Sequence, residues 1–295
     1  MGGEGIVVGF VGSFRGSDVV VDWKVRMRFG LVSNCFRCLL DADHSLEDLI
    51  AHAANVGYRV IELRQGFMGR FESNDTLFPN AEALAELPIR FPEMHFNIAI
   101  NIPFLSGRVT ATDPLFVRAK QAAVAIAGRC GPHLRLVDTD TTDEQVPHGN
   151  DVAERLSELV YAMRRVDGVL SVEHAMQSWT LFESIFNAAR DCLGEDRSCL
   201  KLCFDPCNLL MAKDGPDPIR VARGLSCDAL AMVHIKQRHG GVVTEDVSHG
   251  ELDWPTLFKC LHEIGFKEPY LFEVAPSMKL WSRLEQSARP PEPIS

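Results

Sequence analysis

The chain has 295 residues, of which 46% are hydrophobic and 24% are charged, which is an ordinary globular composition. Its formal net charge of −10 argues against a nucleic-acid partner, because affinity for the phosphate backbone comes mainly from Lys and Arg. No apolar run approaches the roughly 20 residues that a membrane-spanning helix needs, so we expect no membrane association. The nine Cys are scattered through apolar segments, and no secretory signal is evident, which favours reduced thiols in a cytoplasmic protein.

The first 26 residues differ from the rest of the chain. They are Gly-rich with one short apolar patch, and the periodic pattern begins only at Met27. We therefore expect an N-terminal extension over residues 1–26, one domain over residues 27–287, and a Pro-rich C-terminal tail over residues 288–295.

From Met27 onward, short apolar runs alternate with amphipathic stretches, which is typical of repeated βα units. The eight predicted strands cover 28–33, 58–63, 90–100, 134–137, 168–173, 199–204, 229–235 and 270–274. The predicted helices cover 45–56, 80–87, 114–130, 151–165, 180–192, 218–224, 255–265 and 276–286. Eight βα units in about 250 residues predict an α/β fold, a single-domain (β/α)8 TIM barrel.

A doubly wound open sheet is the alternative fold, but no G-x-G-x-x-G follows the first strand to indicate a dinucleotide site. The predicted strands are continuous apolar runs rather than alternating ones. That pattern is expected of parallel strands that are covered on both faces.

Polar side chains interrupt the apolar runs at the ends of the last four strands. Glu173, Asp205, His234 and Glu273 each stand at such an end, where barrels of this type place their chemistry. Taken singly, Asp205 could be a helix N-cap and His234 a hydrogen-bonded core histidine. Taken together, three converging carboxylates would repel one another unless a cation lay between them.

The donor set predicts one divalent metal ion held by these four residues. Three carboxylates and one imidazole suit Mn²⁺, Mg²⁺ or Co²⁺, with Mn²⁺ preferred, and Zn²⁺ is compatible.

Several segments of the second half of the chain resemble the xylose isomerase-like TIM barrels, which include sugar-phosphate isomerases and ketose 3-epimerases. The matching segments are VEH at 172–174, FDPCN at 204–208, VHIKQ at 233–237, HGELDW at 249–254 and FEV at 272–274. The resemblance assigns the metal to Glu173, Asp205, His234 and Glu273. In the first half only the element cadence and Glu62 with Arg64 match.

The sequence departs from this family at two positions. Gln237 stands where many members have Asp, and Asn208 stands where many have His. Both positions help to define the substrate in the family, so they leave the exact reaction open.

The resemblance implies a reaction that proceeds through a metal-stabilised enediolate. A metal bound to adjacent oxygens of a hydroxy-ketone acidifies the C–H between them, and carboxylates remove and return the proton. As in the ketose epimerases, Glu173 and Glu273 would be both ligands and the acid/base pair. The expected activity is that of a sugar, sugar-phosphate or keto-polyol isomerase or epimerase.

Other polar residues are candidates for binding the substrate. Lys236 and Arg238 could hold a distal oxygen, carboxylate or phosphate, or could be solvated charges at the rim. Further candidates are Glu62 and Arg64 on the second strand, His95 on the third strand, and Asn208. His174 is either a neighbour of the metal ligands or part of the core.

Three rival functions remain. Loss of a β-hydroxyl from the same enolate would make the protein a metal-dependent dehydratase (a lyase) of a keto-polyol such as an inosose or a dehydroshikimate-like substrate. A class II apurinic endonuclease would need more His ligands and a more positive charge. A barrel without activity would act only in binding. The expected partner is a small carbohydrate, and a homodimer or homotetramer is possible by analogy.

Overall fold

The computed structural model describes residues 28–287, so the predicted extension over 1–26 and the predicted tail over 288–295 lie outside the described residues. The barrel strands are β1 Phe29–Val32, β2 Val60–Arg64, β3 His95–Asn101, β4 His133–Val137, β5 Val169–Glu173, β6 Leu200–Phe204, β7 Leu230–Ile235 and β8 Tyr270–Phe272. These eight parallel strands close into one barrel in the order β1-β8-β7-β6-β5-β4-β3-β2. The predicted (β/α)8 barrel is confirmed.

Helices surround the barrel and connect its strands. The α-helices are Arg37–Leu40, Leu46–Asn55, Ala81–Leu84, Glu86–Arg90, Pro114–Ala125, Gly149–Arg164, Trp179–Leu193, Pro206–Leu209, Pro218–Gly224, Trp254–Glu263 and Leu280–Ser287. Short 3-10 helices cover Ser33–Phe36, Gly69–Phe71, Phe104–Ser106, Asp143–Gln145, Gly194–Cys199 and Cys227–Ala229. A two-stranded antiparallel hairpin, Arg238–His239 with Val242–Val243, follows β7. Within residues 28–287 no helix has the length and apolarity to cross a membrane.

Side-chain caps fix where several helices begin. Ser45 Oγ accepts a hydrogen bond from the Asp48 amide at 3.1 Å, and Asp113 Oδ1 accepts one from the Leu115 amide at 2.9 Å. Each such cap satisfies an otherwise unpaired amide and is worth about 1 kcal/mol. The cap predicted at Ser45 is therefore present.

Three predicted boundaries are wrong by four or five residues, and the helix predicted over 80–87 is in fact two short helices, Ala81–Leu84 and Glu86–Arg90. The third strand begins at His95 rather than at residue 90, because Arg90 ends a helix and a turn containing Pro92 follows it. The helix predicted over 114–130 ends at Ala125, and Gly128 beyond it adopts a left-handed φ of 53°. The helix predicted over 276–286 begins only at Leu280.

Several buried polar side chains lie on the barrel strands, beside a small apolar cluster that contains Val60, Met232 and Leu271. Glu62, Asn97, Arg135, Ser171 and Cys203 are all buried there. Glu62 pairs with Arg135 and accepts a hydrogen bond from Asn97 Nδ2, while Ser171 Oγ lies 2.8 Å from His133 Nε2.

Candidate metal centre and active site

Four side chains from neighbouring strands converge at the carboxyl-terminal rim of the barrel. Glu173, Asp205, His234 and Glu273 are all buried, and each offers a donor atom within 4.8 Å of those of the others. His234 Nδ1 lies 3.1 Å from Glu273 Oε2 and 3.6 Å from Glu173 Oε1. The four predicted ligands are thus brought together, although their role in binding a metal remains a prediction.

The strand ends position these groups. Glu173 is the last residue of β5, Asp205 directly follows β6, and Glu273 directly follows β8. Asp205 also caps the short helix Pro206–Leu209, since its Oδ1 accepts hydrogen bonds from the amides of Cys207 at 2.9 Å and Asn208 at 3.1 Å. Its Oδ2 faces His234 Nδ1 at 3.9 Å, so one carboxylate serves both as a cap and as a possible ligand.

The donor set fits a divalent cation. Asp205 Oδ2 is buried and makes no aligned hydrogen bond within residues 28–287, and the nearest cation to it is the Lys236 ammonium at 2.6 Å. A buried carboxylate oxygen without such a bond is expensive unless a cation lies beside it. Three carboxylates with one imidazole match the oxygen-rich ligand sets of Mn²⁺, Mg²⁺ and Co²⁺, and Zn²⁺ also accepts this mixture.

Cationic and amide side chains also approach the four residues. Lys236 Nζ lies 2.6 Å from Asp205 Oδ2 and 2.7 Å from Glu273 Oε2. Glu273 Oε1 pairs with Arg64 and accepts a hydrogen bond from Asn34 Nδ2 at 2.9 Å. Both carboxylate oxygens of Glu273 are therefore fixed in direction.

The surrounding charges and burial shift the pKa values of the three carboxylates in different directions. Burial raises the pKa of Glu173, but Arg135 and His234 outweigh it, so the pKa falls to about 2. At Glu273, the positive charges of Lys236 and Arg64 likewise outweigh the effect of burial, and they hold the pKa well below its usual value. At Asp205 burial prevails over Lys236 and raises the pKa to about 6.

Glu62 lies beneath this site and not among the groups that could reach a sugar. It is 0% exposed, and Arg135 Nε donates to both of its oxygens at 3.0 Å. Asn97 Nδ2, on the neighbouring strand, donates to its Oε2 at 2.6 Å. The predicted sugar contact of Glu62 is therefore corrected, because its hydrogen-bonding capacity is used inside the barrel.

His95 is likewise not brought to the site. It is the first residue of β3 and therefore lies at the amino-terminal end of the barrel, where its Nδ1 is 3.0 Å from Cys130 Sγ. The error follows from the misplaced start of the third strand, which moved His95 toward the wrong end of the barrel.

The other predicted substrate residues divide into two groups. Arg64, Lys236 and Asn208 join the site, and Asn208 Nδ2 donates to Glu173 Oε1 at 2.9 Å. Arg238 does not join it. Its Nη1 donates to the Leu210 carbonyl at 3.0 Å, and so it ties the loop after β7 to the loop after β6.

Gln237, at which the sequence departs from the family, and His174 both have structural partners. Gln237 Nε2 donates to the Leu252 carbonyl at 2.9 Å, and Gln237 Oε1 accepts from the amides of Leu252 and Arg238, each at 2.9 Å. His174 packs against Trp179 and bonds the Gln177 carbonyl through Nε2 at 2.7 Å, so it belongs to the core.

Sequence reasoning missed Arg135 and Asn34. Arg135 is fully buried and pairs with Glu62 and Glu173, which makes it a main source of positive charge beneath the site. A charged residue between Leu134 and Leu136 was a usable signal, because a charge inside an apolar strand is rarely unpaired. Asn34 had no comparable signal.

Comparisons with known proteins agree with this architecture. The family model for the xylose isomerase-like TIM barrel matches residues 50–289. No curated protein matches the chain.

Three similar solved structures are the IolI protein with a binding zinc atom, a sugar phosphate isomerase/epimerase from Parabacteroides distasonis, and L-ribulose 3-epimerase. Their identities to this chain are 14%, 15% and 16%, and the TM-scores are 0.61, 0.60 and 0.57. The matches cover 89%, 92% and 86% of this chain, and 94%, 96% and 83% of the three structures. At such identities the similarity shows a shared fold.

Proposed function

The chain belongs to the xylose isomerase-like TIM barrel family, and from that we propose that it is a metal-dependent isomerase or epimerase of a small sugar or related keto-polyol. The main support is the convergence of Glu173, Asp205, His234 and Glu273 within 4.8 Å at the rim of the barrel. The names of two similar structures, a sugar phosphate isomerase/epimerase and L-ribulose 3-epimerase, agree with this class of reaction.

A divalent ion held by these four residues would polarise two adjacent oxygens of a hydroxy-ketone and stabilise the negative charge that develops on them. We favour Mn²⁺ on the oxygen-rich donor set, while the zinc named with IolI makes Zn²⁺ the first alternative. Asn208 and Arg135 hold the two oxygens of Glu173, so this carboxylate keeps one direction during the reaction.

Glu173 and Glu273 are the proposed acid/base pair. Their lowered pKa values keep both carboxylates ionised near neutral pH, which is the form that a general base requires. Return of the proton to the neighbouring carbon by the same carboxylate gives isomerisation. Return by the second carboxylate on the opposite face gives epimerisation.

Lys236 and Arg64 are the proposed partners of the substrate oxygens. Each already contacts Glu273, and the Arg64 side chain is 27% exposed, which leaves it accessible from the mouth of the barrel. A cationic side chain that already contacts the catalytic carboxylate lies close to the reacting atoms. It can therefore stabilise negative charge on the substrate without moving far.

The test combines metal analysis with hydrogen exchange. The purified protein is analysed for metal, and a panel of ketoses, inososes and their phosphates is incubated with it in deuterium oxide. One metal per chain with exchange of a substrate C–H and no loss of water is the expected result. Exchange with a dehydrated product would move the protein to the lyases, and a protein that binds no metal would refute the proposed site.

A pair of variants assigns the chemistry to the site. Glu273→Gln should abolish exchange while the fold is retained, because Gln cannot accept the proton. Glu268→Gln is the matched control, since Glu268 is a partly exposed residue that pairs with Arg28 at 2.9 Å at the other end of β8. Full activity of Glu273→Gln would refute the assignment.

A further inference from the structure

His234 presents its two ring nitrogens to different environments. Nδ1 faces Glu173, Asp205 and Glu273 at 3.1 to 3.9 Å. Nε2 points the other way, into the barrel, where Glu62 Oε1 is 3.2 Å away. Nε2 makes no aligned hydrogen bond within residues 28–287, and Glu62 Oε1 is a carboxylate oxygen within its reach.

Glu62 is itself held rigidly. Arg135 donates to it through Nε at 3.0 Å and through Nη2 at 2.7 Å, and Asn97 donates at 2.6 Å. All of these side chains are buried, with 0% exposure for Glu62 and Arg135. A carboxylate fixed in this way can accept a hydrogen bond from one direction only, because it cannot rotate to follow a donor that moves.

Arg135 reaches upward from Glu62 to the proposed base. Its Nη1 pairs with Glu173 Oε2, while its Nε and Nη2 face Glu62. The rigid guanidinium therefore sets the distance between a carboxylate below the site and a carboxylate within it.

We propose that Glu62 is a positioning residue, which holds His234 with Nδ1 toward the metal, and that Arg135 couples this pair to Glu173. The inference rests on the proposed metal site and extends it to the layer below. A histidine that binds a metal through one nitrogen carries a proton on the other, and a carboxylate acceptor for that proton fixes the tautomer and the ring orientation. Burial of the donor makes the acceptor necessary, since a buried unpaired N–H is unfavourable.

The first measurement uses the unmodified protein. NMR of the ¹⁵N-histidine-labelled chain with Zn²⁺ bound distinguishes the nitrogens, and the His234 signals are assigned by their absence from His234→Gln. We expect Nδ1 as the metal-bound nitrogen and a slowly exchanging proton on Nε2. Metal-bound Nε2, or an Nε2 proton that exchanges freely, would overturn the proposal.

The second measurement compares variants for metal affinity by competition with a chromophoric chelator. Glu62→Gln should bind Zn²⁺ roughly 10- to 100-fold more weakly, the usual effect of removing such a partner, and should lose the protected Nε2 proton. Glu47→Gln is the matched control, because Glu47 is also a buried carboxylate paired with an arginine, Arg70, but lies on an outer helix. It should leave both readouts unchanged.

The outcomes separate this inference from the proposed function. Tight metal binding by Glu62→Gln, with an unchanged His234 spectrum, would overturn the positioning role and leave the metal site intact. A wild-type protein that binds no metal would overturn both.

Discussion

The Lys236 ammonium nitrogen lies 2.6 Å from Asp205 Oδ2, within the group of residues that we propose as metal ligands. It also lies 2.7 Å from Glu273 Oε2, so one side-chain cation bridges two of the three carboxylates. Although burial lowers the pKa of Lys236, Asp205 and Glu273 raise it well above its usual value and keep the side chain charged. A divalent ion that binds here has to displace or repel this ammonium group.

Lys236→Met should therefore strengthen metal binding while it weakens substrate binding. Removal of the competing charge should raise the affinity for Mn²⁺ or Zn²⁺ by about tenfold or more, which corresponds to about 1.4 kcal/mol. Chelator competition measures the change. Lys213→Met, at an exposed lysine paired with Glu144 at 2.9 Å, is the control and should have no effect. Unchanged affinity in Lys236→Met would mean that the ammonium does not oppose the metal.

The affinity for the metal should depend on pH through Asp205. Its pKa of about 6 in the folded protein means that a proton competes with the metal below that pH. We expect the affinity to fall more steeply below pH 6 than above it, because a proton on Asp205 must then leave in addition to the proton that His234, whose pKa is raised well above its usual value, releases when it binds the metal. Titrations between pH 5 and pH 7 measure the slope, and a flat profile would contradict a ligand role for Asp205.

The same shift predicts how Asp205 affects the stability of the metal-free protein. The pKa of Asp205 rises from 3.8 to about 6 on folding, so the folded state binds more protons between these values. The contribution of Asp205 to the free energy of unfolding therefore decreases as the pH rises from about 4 to about 6. Asp205→Asn should remove this part of the pH dependence, as measured by urea unfolding, and an identical pH profile would refute it.

Gly30→Ala should destabilise the barrel. A Cβ at Gly30 would lie 2.4 Å from the Val60 carbonyl oxygen and 2.5 Å from Leu271, and the backbone of a paired strand cannot move aside. We expect a loss of about 1–3 kcal/mol or more in urea unfolding. Gly224→Ala is the control, because its Cβ would meet no described atom within 4 Å. Equal stability of the two variants would contradict close packing inside the barrel.

Gln237→Leu should loosen the segment that precedes the helix Trp254–Glu263. The amide of Gln237 bonds both backbone groups of Leu252, so its loss leaves buried groups unpaired at a cost of about 1–3 kcal/mol. Limited proteolysis should then cleave near residues 249–253 sooner than in wild type. Gln121→Leu, at an exposed helix position, should not change the digestion pattern. If the digestion pattern of Gln237→Leu matched that of the wild type, the hydrogen bonds between Gln237 and Leu252 would not be needed to hold this segment.

The fold was predictable because the alternation of strands and helices follows from patterns of apolar and polar residues over short stretches of sequence. The strand ends followed from the same cadence, so the residue pattern alone could assign Glu173, Asp205, His234 and Glu273 to one rim. The predictions that were wrong depended on turns formed by a few neighbouring residues. The turn around Pro92 delays the third strand, and that delay moves His95 to the opposite end of the barrel.

The layer beneath the site was not predictable from periodicity. Alternation in a strand says which residues share a face, but in a barrel covered by helices both faces are buried. Whether Glu62 meets a sugar or an arginine depends on Arg135, which comes from a strand two places away and has no sequence relation to it. Such pairings are set by closure of the barrel rather than by any local pattern.

Closure also determines when the site can exist during folding. Glu273 contacts Asn34 and Arg64, which precede it by 239 and 209 residues, and β8 pairs with β1 to complete the ring. Contacts between residues so distant in sequence form late, because the chain entropy lost in bringing them together is recovered only after the intervening units are in place. A nascent chain that lacks β8 therefore has no complete set of ligands. The metal would bind only after β8 has joined the barrel, and it would then stabilise the closed barrel. Metal binding should therefore slow unfolding more than it speeds folding.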